Sequence, residues 1–212
     1  MATKSKKAYL LLYEELVKNN IEPGTFLDEQ ELVKQFNLGR TPIREAVKQL
    51  AIEGLLEVLP RKGILVKPVT TEYLRDILET RSYLEPHVAG LAAQRISSEE
   101  IIRMWQLHAE FASMLKEENH WKLSCLDKKL HQAVANAARN KVMIEVLDRL
   151  STNMQRIWMY THQLDPHRKK RLSMPSQWET LINHISKGEV EEARAAMYLH
   201  ITYGQQDVVQ DK

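Results

Sequence analysis

The chain has one cysteine in 212 residues, Cys125. One thiol cannot close an intramolecular disulfide, so the fold must rest on packing, as expected in a reducing compartment. Glycine and proline are scarce, seven of each, so long structureless stretches are not expected. No apolar run reaches the ~20 residues needed to span a bilayer. The basic start Met1 to Lys7 leads into a short apolar stretch, Tyr9 to Tyr13, and Glu14 and Glu15 follow at once. That stretch is too short and too charged for a signal peptide, and a cytoplasmic location is expected. A glycine-rich phosphate loop and a nucleophile elbow are both missing, which removes two common catalytic designs. An excess of one charge is missing too, with a net charge of only +2.

What is there suits a soluble globular protein of one large domain or two small ones. Apolar residues make up 43% of the chain, enough for packed cores. Dividing the chain after Pro68 separates two chemistries. Residues 1–68 carry 11 Lys/Arg against 9 Asp/Glu and no histidine; residues 69–212 carry 19 against 19 and all eight histidines. A small positive excess sits in the first part. The capacity to bind protons or metals sits in the second.

The first part reads as helix, helix, helix, hairpin. Ser5 to Lys18 has helical apolar spacing at Leu12, Leu16 and Val17. Glu22-Pro23-Gly24-Thr25 is a turn. Asp28, with Glu31 three residues on, opens a short helix to Phe36 in the manner of a capping box. Asn37-Leu38-Gly39 turns the chain. Thr41 is expected to cap the next helix with Pro42 in its first position, and Ile43, Ala46, Val47 and Leu50 form its apolar face. Leu55 to Leu59 and Gly63 to Lys67 then read as a β-hairpin.

This order predicts a winged helix-turn-helix. In such a unit the second helix of the pair puts its N-terminal residues against base edges in the major groove. Arg40 and Arg44 lie four apart at that end, and an arginine fork matches O6 and N7 of guanine. Thr41 and the helix N-terminus suit a phosphate, and Lys48 extends the strip. Arg61, Lys62 and Gly63 put two cations and a small residue at the hairpin tip. Taken singly these are solvated surface charges; taken as an ordered set they suit double-stranded DNA.

From Thr71 onward the pattern is helical. Helices are expected at Thr71 to Arg95, from Ser97 or Ser98, at His120 to Ala138, at Asn140 to about His162, at Pro175 to Lys187 and at Glu189 to Val208. Asp165-Pro166 breaks the fourth, and the charged stretch His167 to Arg171 follows. The fold class is therefore mainly α: an N-terminal winged helix-turn-helix (residues 1–68) and a C-terminal antiparallel all-α bundle of six to seven helices (69–212). Asp127 and His131 are four apart on one helix face. They suit either a surface pair or a shared metal. Arg81 interrupts an apolar stretch of Leu74, Ile77, Leu78 and Leu84. If buried it needs an anion, either a bound ligand or Glu85 four residues on. Met154, Trp158, Met159 and Tyr160 suit core or pocket wall.

Five segments of the first part resemble the GntR family of bacterial transcription regulators. They are Glu22-Pro23-Gly24, Asp28-x-x-x-Leu32-x-x-x-Phe36, Arg40-Thr41-Pro42-Ile43-Arg44-Glu45-Ala46, Leu50-x-x-Glu53-Gly54-Leu55 and Pro60-x-x-Gly63. The resemblance implies DNA contacts by Arg40, Thr41, Arg44 and Gly63. Gln30 stands where many members have arginine, which implies a contact with altered preference.

The second part resembles the FadR subgroup's ligand-binding domain, called FCD. The segments are Arg81-x-x-Leu84-Glu85, Asp127-x-x-x-His131, Asn140, Gly188-Glu189, Ala193 and His200. That resemblance implies a homodimer reading a pseudo-palindromic operator, a small effector, commonly a carboxylate, held by Arg81, and a divalent metal held by one Asp and three His. Asp127, His131 and His200 match three of those ligands. Trp178 occupies the place of the remaining histidine, 22 residues before His200, and indole cannot ligate a cation. His184 and His162 are not supported by spacing as replacements. Three donors and water can still hold zinc weakly; an Asp–His–His polar cluster with no metal is the alternative. The expected function is a ligand-responsive regulator, a repressor, with effector contacts from Arg81 and Trp178. The alternatives are a metal sensor and a metal-dependent enzyme using Asp127, His131 and His200.

Overall fold

The computed structural model describes residues 3–117, 119–164 and 174–209. Two compact units divide the chain, Met1–Thr70 and Thr71–Lys212.

In the first unit α1 (Lys4–Val17) is capped by Thr3, whose side chain accepts from the Lys6 N–H. Its buried stripe, Ala8, Leu12, Leu16 and Val17, packs on α3. Asp28 accepts from the N–H groups of Gln30 and Glu31 and starts α2 (Glu29–Phe36). Asn37 ends α2 in the left-handed region, φ 50°, where asparagine costs less than most residues. α3 (Arg40–Ile52) buries Ile43, Ala46, Val47 and Leu50. The start of α3 corrects one expectation. Thr41 is not its cap: the cap is Gly39, with no side-chain hydrogen bond, so Pro42 is the third helical residue. Its missing N–H still falls among the first-turn groups that have no partner in the helix.

The hairpin pairs β2 (Leu56–Leu59) with β3 (Gly63–Val66), Leu59 opposite Gly63. A third strand, β1 (Phe26–Leu27), pairs antiparallel with the outer edge of β3, giving the order β1-β3-β2. Two residues are too few to show an alternating pattern, so β1 is invisible in the sequence. It explains one glycine. Gly63 has φ 103°, and a Cβ there would meet the Leu27 carbonyl oxygen at 3.2 Å.

The second unit is helical throughout its described residues: α4 (Thr71–Arg95), α5 (Ser98–Met114), a short 3-10 turn (Leu115–Glu117), α6 (His120–Ala137), α7 (Lys141–Leu164), α8 (Met174–Lys187) and α9 (Val190–Val209). Ser97 and Glu100 form a reciprocal capping box at α5, and Asn119 caps α6. α4 is the central element and packs on α6, α7, α8 and α9. Val88, Ala89, Ala92, Phe111, Leu130, Trp178, Leu181 and Met197 belong to one continuous core. The expected break at Asp165-Pro166, the charged stretch His167 to Arg171 and the side chain of His162 lie outside the described residues.

Candidate functional site

Two sites follow from these elements, one in each unit. In the first, the helical period of α3 sorts its residues by environment. Ile43, Ala46, Val47 and Leu50 turn inward, while Arg40, Thr41, Arg44 and Lys48 are exposed along the opposite strip. Gln30 is exposed on α2, and Arg61, Lys62 and Gly63 are exposed at the hairpin tip. Lys62 N–H donates to the Leu59 carbonyl at 3.1 Å and closes that tip. Arg61 sits at φ 64°, a conformation costly for a residue with a Cβ.

One contact in this unit was not legible from the sequence. Glu29 accepts a hydrogen bond from Nε of Arg44 at 2.7 Å, and the Arg44 side chain remains 62% exposed. The carboxylate raises the Arg44 pKa further, and it engages the inner nitrogen of the fork. Nothing in the local pattern links positions 29 and 44; the packing of α2 on α3 brings them together.

In the second unit the sequence-flagged residues converge in the middle of the bundle. Arg81 and Glu85 on α4, His131 on α6, and Trp178 and His200 on α8 and α9 are all buried. Asp127 is one turn before His131 and partly exposed. Arg81 and Glu85 form a buried i,i+4 ion pair through the guanidinium Nε. Burial by itself would raise the Glu85 carboxyl. The charges and hydrogen bonds of Arg81 and His131 overcome that and hold it well below the usual carboxylate range. An ionised carboxylate only accepts, so Nδ1 of His131, 2.6 Å from Glu85 Oε2, carries the proton. Nε2 of that ring then turns toward Asp127, with Oδ2 at 3.7 Å. Nη2 of Arg81 lies 3.2 Å from Nε2 and 3.5 Å from Nδ1.

His200 is fixed in the same way. Its Nδ1 is 3.1 Å from Oε1 of Gln177. Burial is the main cause that lowers its pKa to about 4, so the ring is neutral at neutral pH. Trp178 is fully buried and donates its indole N–H to Asp127 Oδ1 at 2.9 Å. Its ring lies 4.7 Å from that of His131 and 4.6 Å from that of His200.

Donor atoms of Asp127, His131 and His200 lie within 4.8 Å of one another. Both histidines have Nδ1 on a polar partner outside the donor set, Glu85 and Gln177, the kind of second contact that usually braces a metal-ligating imidazole. These three residues therefore fit a divalent cation, although the fourth place holds an indole that cannot ligate. His184 belongs elsewhere, with Nδ1 2.6 Å from Glu189.

Beside this cluster lies a cavity of about 50 Å³ walled by Arg81, Ser124, Lys128, Ser151, Gln155 and Trp158. It has room for a few water-sized groups. A larger opening of about 380 Å³ shares His131 and Ser151 with it. Gln155 donates to Ser124 Oγ at 3.1 Å, and Lys128 donates to Thr152 Oγ1 at 2.6 Å. Lys128, Ser124 and Gln155 were not flagged by the sequence. Each sits on a helix where polar residues are ordinary, and only the cavity distinguishes them.

Comparisons with known proteins follow the same two-part division. The family described as "Bacterial regulatory proteins, gntR family" matches residues 4–66, and "FCD domain" matches residues 76–203. Among curated relatives, the Nta operon transcriptional regulator of Aminobacter aminovorans is 28% identical over 141 residues, 66% of each chain. The HTH-type transcriptional regulator LutR of Bacillus subtilis is 25% identical over 211 residues, covering 88% of this chain and 93% of LutR. Among solved structures, E. coli McbR/YncC superposes with a TM-score of 0.86 over 99% of both chains at 17% identity. A regulator from Rhodococcus sp. RHA1 gives 0.74 over the full length of both chains, also at 17% identity. At such identities the structures speak for the fold. The named relatives are transcriptional regulators, and the gntR match is to bacterial regulatory proteins; neither supports the metal-dependent enzyme. The winged head, the helical bundle and both family matches place this chain in the gntR family of bacterial regulatory proteins, among members that carry an FCD domain.

Proposed function

We propose that the protein is a homodimeric repressor whose affinity for a pseudo-palindromic operator is set by a small carboxylate held in the helical unit. Two heads related by twofold symmetry read two half-sites. Arg40, Arg44 and Gln30 face base edges; Thr41, Lys48, Arg61, Lys62 and Gly63 hold phosphates and the wing contact. The observation that carries the ligand reading is Arg81, a buried guanidinium in the wall of a cavity that also presents Lys128, Ser124 and Gln155. Two cations and neutral donors outnumber the one carboxylate in that lining, Asp127, and suit an anion of a few heavy atoms. Glu85 neutralises Arg81 without using all five of its N–H groups. A carboxylate can therefore be recognised by the outer edge of the fork. Trp178 packs edge-on against His131 and shapes the site through that ring.

The metal reading belongs to the same pocket. Asp127, His131 and His200 would hold a divalent cation such as zinc through three donors, more weakly than a four-donor site. When bound, such a cation supplies a Lewis-acid contact for an anionic ligand. A metal-sensing regulator is the second reading, favoured by the convergence of those three donors.

The test is operator binding by fluorescence anisotropy, with small carboxylates and with zinc added separately. A carboxylate that shifts the wild-type curve and leaves an Arg81→Met curve unmoved supports the reading. A shift by zinc alone, with no carboxylate effective, replaces it with the sensor. Sedimentation of the free protein tests the dimer.

A further inference from the structure

We infer that Trp178 acts through its indole N–H as the group that orients Asp127 toward a divalent cation, in a site of two histidines and one carboxylate. The inference rests on the metal reading of the pocket.

The indole nitrogen of Trp178 is 2.9 Å from Oδ1 of Asp127. Indole N–H only donates, so Trp178 is not a ligand. The bond instead occupies one carboxylate oxygen and leaves the other, Oδ2, as the oxygen that faces Nε2 of His131 at 3.7 Å. Nδ1 of His131 is directed to Glu85, and Nε2 is the ring nitrogen on the Asp127 side. Ligand atoms of Asp127, His131 and His200 lie within 4.8 Å of one another, close enough to share one cation.

All three donor residues are then braced alike. His131 is held by Glu85, His200 by Gln177 at 3.1 Å, and Asp127 by Trp178. Each has a polar contact to a residue outside the donor set. Braces of this kind are usually worth 10–100-fold in metal affinity. The indole ring also closes one side of the cluster. Trp178 has no exposed surface, and its ring stands edge-on to His131 at 74°. Asp127 and His131 also line the cavity that Arg81 walls. The structure thus assigns Trp178 two roles at one site: it orients a ligand and seals the face behind it.

Two altered chains test this. Trp178→Phe removes the N–H but leaves a small void in the core. Benzothienylalanine at 178 keeps the bicyclic shape and puts sulfur in place of N–H. Full-length wild type and both altered chains are stripped with a chelator, checked by thermal melting, and titrated with zinc against a chromophoric indicator. Wild type is expected to take one zinc per chain, with both altered chains about 10–100-fold weaker. Where the two differ, the benzothienylalanine chain decides, since its shape is kept. Absence of zinc uptake by wild type overturns the inference, as does equal affinity in the benzothienylalanine chain. Operator binding that still responds to small carboxylates in zinc-free wild type would leave the regulatory reading standing while this one falls.

Discussion

The two units handle charge in opposite ways. Among the described residues of the first, the one buried polar side chain is Asn19, and every charged residue flagged for DNA contact is exposed. The second buries Arg81, Glu85, His131, Arg156 and His200. DNA is a long polyanion met at the surface, where exposed arginine and lysine act through phosphate neutralisation and groove contacts. A small ligand offers few contacts, and each must count. That requires groups taken out of water, where electrostatic interactions are stronger and an unpaired charge is costly. Substitutions should therefore separate the units: in the helical unit they act on folding, in the head on DNA affinity.

The largest effect is expected from Glu85→Ala. It leaves Arg81 buried without its partner and should cost about 3–5 kcal/mol of stability, read as a lowered melting temperature with two-state analysis of the helical unit. Little change in melting would mean that the buried pair is replaced by water, and the contrast between the units would weaken. Next comes Arg44→Ala. It should lose ~1–3 kcal/mol of operator affinity with a relaxed preference at one base pair, while the melt stays close to wild type because the side chain is 62% exposed. Unchanged operator affinity would remove Arg44 from the reading surface. The smallest effect is expected from Lys62→Ala at the hairpin tip. It should weaken binding to all sequences alike and reduce the salt dependence by about one counterion. A base-specific loss would make Lys62 a reader and not a phosphate contact.

Legibility in the sequence also differed between the two units, and for the same reason. In the head, function is written in local order. The period of α3 alone puts Ile43, Ala46, Val47 and Leu50 inside and Arg40, Arg44 and Lys48 outside. What escaped were contacts between elements: β1 against β3, and Glu29 against Arg44. In the helical unit the spacing of Asp127 and His131 allowed a surface pair as readily as a site. Arg81 allowed a ligand contact or a bridge to Glu85, and the structure contains that bridge beside a cavity. Lys128, Gln155 and Gln177 gave no signal, because a single polar residue on a helix is commonplace until a neighbouring helix supplies its partner.

The sequence by itself determined the division into a winged head and a helical bundle, the helices and their inward faces, and the exposed cationic strip. Those follow from periodicity, capping and turn chemistry, all of which act over a few residues. Only the tertiary structure decided that Arg81, Glu85, Asp127, His131, Trp178 and His200 share one cluster inside the bundle. They come from four helices spread over 120 positions of chain, and their chemistry depends on which ring nitrogen and which carboxylate oxygen each neighbour claims. Packing sets those choices, and spacing along the chain does not encode them.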